Sequence, residues 1–134
     1  IVVNFIVSKD IEHGVISKLL KLGIEEPDKF ILENSIEKIK LYIINKTNQK
    51  QVPENLKYVL IERVIGEYLV FMLRIGKLEI DALDFGRIAK EISEGDTKVA
   101  YDNTKTSGDK FEVYTTYLQT YNEDEIKRYR RLVW

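Results

Sequence analysis

Residues 53–74, PENLKYVLIERVIGEYLVFMLR, restrict the fold more than any other part of the chain. Leu56, Val59, Leu60, Val64, Tyr68 and Phe71 form one apolar row, and Ile61, Ile65, Leu69 and Leu73 form a second. Spacings of three and four make both rows helical. Only Glu62, Arg63, Glu67 and Arg74 are left to face water, so the stretch reads as a central helix with neighbours on more than one side. Pro53 suits the first helical position, where its missing N–H costs nothing, and Glu54 suits the positive end of the dipole. Leu60, Val64, Ile65 and Phe71 are expected among the most buried residues. Gly66 interrupts good helix formers at a cost of about 1 kcal/mol relative to Ala. The expected compensation is close approach of a crossing helix.

Two earlier segments supply partners for this helix. Residues 10–22 carry Ile11, Val15, Leu19 and Leu22 on one stripe, weakened by Gly14 and ended by Gly23. Residues 28–45 follow Pro27, with Leu32, Ile36, Ile39 and Ile43 as the stripe, Phe30 and Tyr42 beside it, and Glu33, Glu37, Lys38 and Lys40 turned outward. The polar linker 46–52, KTNQKQV, is short enough to make the second helix and the central one an antiparallel αα-hairpin. Residues 75–87 contain Gly76 and Gly86 without a clean period and predict irregular structure with one helical turn near 80–85. Residues 88–101 predict an extended excursion or β-hairpin turning at Glu94-Gly95-Asp96, and 102–110, DNTKTSGDK, predict a mobile polar stretch. Residues 111–121 are ambiguous: Phe111, Tyr114, Leu118 and Tyr121 have helical spacing, Val113, Thr115 and Thr116 favour a strand, and the stretch is read as a helix. Residues 123–132 read as a last helix, with Asn122 and Glu125 as a capping box and basic residues in its final turns.

The expected fold is therefore mostly α: a small helical bundle around a central helix, with a long loop or β-hairpin excursion and a C-terminal helix. The whole chain, 1–134, is expected to be one domain, with a core of about 10–74 plus 111–134 and an excursion of about 75–110. A length of 134 residues with 44% hydrophobic content suits one such core. The 21 basic and 22 acidic residues nearly cancel, which argues against a duplex-DNA binder with a broad basic face. No cysteine is present, which excludes disulfides and thiolate metal sites. Residues 1–7, IVVNFIV, lack a basic leader and a cleavage pattern and fall short of the ~20 residues that span a bilayer. They are expected to pack as an extended apolar segment, and a cytoplasmic protein is the default.

Catalytic groupings are missing from the sequence. His13, the single histidine, has no Ser or Cys partner in a recognisable motif and reads as a surface residue. The seven glycines are scattered rather than gathered in a phosphate loop. Asp81–Asp84 and Glu94–Asp96 could hold a cation but read better as turn chemistry, and Asn45-Lys46-Thr47 matches a glycosylation triplet of a kind that arises often by chance. The expectation is no enzyme, no cofactor and no metal. The C-terminal third is richer. Tyr101, Tyr114, Tyr117, Tyr121 and Tyr129, with Phe111 and the single tryptophan, Trp134, form either a satellite core or a contact surface of the Tyr, Trp and Arg types that dominate protein interfaces.

In order and spacing, four segments resemble the head–tail connector (adaptor) proteins of tailed bacteriophages and prophages. They are LLKLGIEEPDKFILENSIEKIKLYI, VPENLKYVLIERVIGEYL, the Gly-Asp-containing ISEGDTKVAYD, and the closing IKRYRRLVW. The resemblance covers nearly the whole chain, except residues 75–87. It implies a helical subunit of a ring, commonly of twelve copies, that docks under the portal protein in the neck of the virion after synthesis in the host cytoplasm. The ring extends the DNA channel and joins the capsid to a tail-completion or stopper protein. DNA passes without sequence-specific binding, and no membrane is involved. On this reading Arg128, Arg130, Arg131 and Trp134 meet the portal, while Glu94, Gly95, Asp96, Tyr101 and Asp102 lie in an excursion against a neighbouring copy or the channel. The alternative class is a small nucleic-acid-binding or regulatory scaffold protein, with KRYRRLVW as its basic element.

Overall fold

The computed structural model describes residues 8–88, 90 and 106–131. Five α-helices have both ends among them: α1 (Ser8–Lys21), α2 (Lys29–Thr47), α3 (Lys57–Arg74), α4 (Ser107–Gln119) and α5 (Glu123–Arg128). Short 3-10 turns occupy Glu54–Leu56 and Ile80–Ala82, and residues 85–88 are helical again. No strand occurs among the described residues. The excursion expected at 88–101 lies almost entirely outside them, together with its Glu94, Gly95, Asp96, Tyr101 and Asp102.

Helix α3 is the axis of the bundle. Leu60, Val64, Ile65 and Leu69 are fully buried, and α1, α2 and α4 all pack on it. The α1 stripe of Ile11, Val15, Leu19 and Leu22 and the α2 residues Leu32, Ile36 and Ile43 close on one continuous apolar core. Gly23 ends α1 with φ +104°, a conformation that only glycine adopts cheaply. Its backbone then meets the carbonyl of Ala82 at a distance no side chain would allow. Pro53 precedes a 3-10 turn rather than opening the α-helix directly, so α3 begins four residues later than its sequence signal.

The directions of the helices fix two poles. Lys38 meets Glu67 and Tyr42 meets Arg63, so α2 and α3 are antiparallel. Gly66 lies against Leu118 while Arg63 reaches Tyr121, so α4 also runs against α3. One pole therefore gathers the α2–α3 turn, the end of α4, and α5. The other gathers the end of α3, residues 75–88 and the start of α4, where the Lys110 ammonium sits 5.8 Å from the Phe85 ring centroid.

Several expectations are corrected. Phe71 is 44% exposed rather than buried, because the α3 rows outrun their partners near the C-terminus, where Leu73 and Ile75 are exposed too. Glu62 and Arg63, expected in water, are buried at 9% and 3%. The polar stretch 102–110 does not stay irregular to its end. Thr106 accepts a hydrogen bond from Asp109 N at 3.2 Å and caps α4, whose first turn is Ser107 to Lys110. Residues 75–88 are not part of an excursion either. Asp84 N donates to the Leu22 carbonyl at 3.0 Å, and Leu83 and Ile88 are buried.

Gly66 in α3 and Gly14 in α1 should respond oppositely to alanine. A Cβ at Gly66 would stand 2.8 Å from Leu118 Cβ and 3.1 Å from Gln119 N, neither of which yields without moving α4. Gly66→Ala should lose about 1–3 kcal/mol in urea unfolding. A Cβ at Gly14 would meet only the tip of the Ile61 side chain. Gly14→Ala should be neutral or stabilising by up to about 1 kcal/mol, from helix propensity. In the same assay Leu69→Ala should lose about 2–5 kcal/mol, and Phe71→Ala clearly less.

Candidate functional site

At the α2–α3 pole, a buried arginine joins the C-terminal elements to the core. Arg63 Nε donates to the Tyr121 carbonyl at 2.9 Å, and Nη2 donates to Glu123 Oε2 at 2.6 Å. The guanidinium lies over the Tyr42 ring, 5.3 Å from its centroid, and the Tyr42 hydroxyl donates to Glu123 at 2.9 and 3.0 Å. An arginine suits this place, because its planar fork can serve a carbonyl, a carboxylate and a ring face together. Burial alone would raise the Glu123 carboxyl. The Tyr42 hydroxyl and the Arg63 guanidinium outweigh it, and the carboxyl titrates below its ordinary range. Burial first, and then the Glu123 hydrogen bond, push the Tyr42 hydroxyl up. With Lys38 and Glu67 paired at 2.6 Å on the rim, these groups line a cleft of about 460 Å³.

Asn122 is not the side-chain cap its sequence pattern suggests. It lies in the left-handed region, φ 52°, and its side chain makes no capping bond. Its backbone carbonyl instead takes Glu125 N at 3.1 Å, and the Glu125 side chain pairs with Arg128 at 3.0 Å. The tight corner between α4 and α5 brings Glu123 back over Arg63. Helix α5 ends at Arg128 rather than near 132, with Ile126 fully buried as its apolar anchor.

Beyond α5 the chain forms a docked arm. Arg131 N donates to the Thr47 carbonyl at 2.6 Å. Asn48 Nδ2 donates to the Arg131 carbonyl at 2.9 Å, and Gln49 Nε2 to the Tyr129 carbonyl at 3.1 Å. Asn55 Nδ2 donates to the Tyr129 hydroxyl at 2.7 Å. The α2–α3 turn thus offers a carbonyl and three side-chain amides to residues 129–131. Thr47 is itself fixed, fully buried with its hydroxyl on the Ile43 carbonyl at 2.7 Å. Arg130 and Arg131 project from this arm into solvent, as does Arg128 from the end of α5.

The structure thus brings Arg128, Arg130 and Arg131 together at one pole, and Trp134 lies outside the described residues. Of the aromatic group, Tyr114 and Tyr117 belong to the core, while Tyr121 and Tyr129 are half-buried supports of the corner and the arm. His13 is exposed on α1. Asp84 caps the following helical turn through Arg87 N at 3.0 Å, which accounts for its place in the sequence. Among the described residues no group of His, Cys, Asp and Glu is disposed to hold a metal, and no helix is long and apolar enough to cross a membrane. Sequence reading missed Arg63, Thr47, Asn48 and Gln49. Arg63 had one available signal: a charge between two apolar rows of a helix that has neighbours on both sides.

Comparison with known proteins yields no matching family, no similar characterised sequence and no similar solved structure.

Two outcomes follow from the Arg63 cluster. Glu123→Ala leaves the buried guanidinium without its carboxylate. It should cost about 2–3 kcal/mol, below the range for a fully buried pair because Glu123 keeps some contact with water. The folded-state carboxyl is depressed, so its stabilisation is complete above the ordinary pKa of 4.5 and is lost as pH falls through the lower folded value. Urea midpoints should show this acid-side loss in the native chain and less of it in Glu123→Gln.

Proposed function

We propose that the chain is a structural subunit of the head–tail connector ring of a tailed bacteriophage or prophage. It docks under the portal, extends the DNA channel and joins the capsid to the tail through a tail-completion or stopper protein. Its neighbours in the ring are copies of itself, and DNA passes it without sequence-specific contact. Its place of action is the neck of the virion. The role is mechanical and recognitional, carried by surfaces rather than by catalysis.

The observation that carries this reading is the docked arm. Four hydrogen bonds tie residues 129–131 to the α2–α3 turn, while the side chains of Arg128, Arg130 and Arg131 stand in solvent. A pre-ordered arm loses little conformational freedom on binding, which favours docking through modest contacts repeated around a ring. Arginine pairs bidentately with carboxylates and suits an acidic portal rim. The two-pole arrangement fits a connector. One pole presents the arm, and the other presents the exposed Phe71, Leu73 and Ile75, where a neighbouring copy would be met.

Alanine at Arg128, Arg130 and Arg131 keeps every main-chain hydrogen bond of the arm. The triple variant should therefore keep its helical circular dichroism and lose at least tenfold in binding to the portal protein encoded beside it, measured by co-purification. Removal of residues 132–134 should act in the same direction. Portal binding unchanged in both variants would refute the arm as the docking element. Loss of a salt-sensitive affinity for duplex DNA instead would move the chain to the nucleic-acid-binding class.

A further inference from the structure

The larger cleft, around Arg63, holds charges already paired with one another, so it offers an incoming ligand little. A second groove lies on the other side of α2, of about 370 Å³, and differs in this respect. Its floor is apolar: Leu41, 56% exposed, with Ile44 half-buried and Val52 buried. Its rim carries Lys50, and Lys40 paired with Glu37 at 3.6 Å. The groove borders the α2–α3 turn that holds the arm, because Lys50 lies three residues beyond Thr47, the acceptor for Arg131 N. No described carboxylate comes within ion-pair distance of Lys50, Arg130 or Arg131.

We infer that this groove and the adjoining arm form one surface, which receives an acidic segment of the portal with apolar residues set among its carboxylates. The inference rests on the connector reading above and adds the chemistry of the partner. The apolar residues of the segment cover Leu41 and Ile44. Its carboxylates meet Lys50 at the groove and Arg130 and Arg131 on the arm. Charge complementarity selects this occupant. An apolar floor alone would accept any greasy segment, but Lys50, Arg130 and Arg131, with no described carboxylate beside them, favour carboxylates and disfavour a basic segment.

The test uses the full chain and the portal protein encoded beside it. Leu41 and Lys50 are exposed, so Leu41→Glu and Lys50→Glu should leave folding intact by circular dichroism. Each should weaken portal binding at least tenfold, while Lys50→Arg should bind as the native chain does. A photocrosslinker placed at Gln51, on the groove wall, should attach to a portal peptide rich in Asp and Glu. If the native chain binds the portal while both charge-reversal variants bind equally well and Gln51 gives no portal crosslink, the groove inference is overturned and the connector reading stands. A crosslink from Gln51 to another copy of this chain, or to its own residues 132–134, also overturns it by naming a different occupant. If the native chain does not bind the portal at all, the connector reading fails, and the inference fails with it.

Discussion

Arg63 holds the corner between α4 and α5 to the core. It leaves the apolar interior of α3 and binds the Tyr121 carbonyl and the Glu123 carboxylate, with its guanidinium over the Tyr42 ring. Ile126, the Tyr42–Glu123 hydrogen bonds and the four bonds of the arm hold α5 beside it. A buried guanidinium is costly to desolvate, so this pair contributes position more than net stability. Replacing the whole cluster by apolar residues could leave a stable bundle, but its α4–α5 corner would no longer be directed over α2.

What that position achieves is seen one step along the chain. The corner aims α5 so that Tyr129 and Arg131 reach the α2–α3 turn, where Thr47, Asn48, Gln49 and Asn55 receive them. Asn48 can serve because it sits in the left-handed conformation that ends α2, which asparagine tolerates better than most residues. The end of one helix therefore also forms the seat of the arm. On the proposed reading, a terminus that must meet a partner is held ready rather than ordered on contact.

The sequence made the inner parts of the bundle legible and its outer joints much less so. The stripes of α1, α2 and α3 are periodic over several turns, and Gly23 and Gly66 mark a helix end and a close crossing that the structure bears out. Periodicity failed where a charge sits on a buried face, since Glu62 and Arg63 look water-facing until Lys18 and Glu123 are known to be beside them. It failed again at Asn122, where the residue types of a capping box occur on a backbone that turns left-handed instead. The start of α4 was hidden by polar residues that serve as its first turn. The seat of the arm was not readable because it joins positions about eighty residues apart, such as Asn48 and Arg131. Of the candidate site, the arginines were named from the sequence, but nothing in their spacing disclosed what holds them.

The central claim is that the arginine-bearing arm is a fixed part of the bundle. The amide of Arg131 reports on it directly, because that N–H donates to the buried end of α2 at Thr47. Hydrogen exchange followed by NMR on the isolated chain should find this amide protected well beyond the rate of an unstructured peptide, and should find the protection reduced in Glu123→Ala while α3 stays protected. Exchange at the unstructured rate in the native chain would contradict the account.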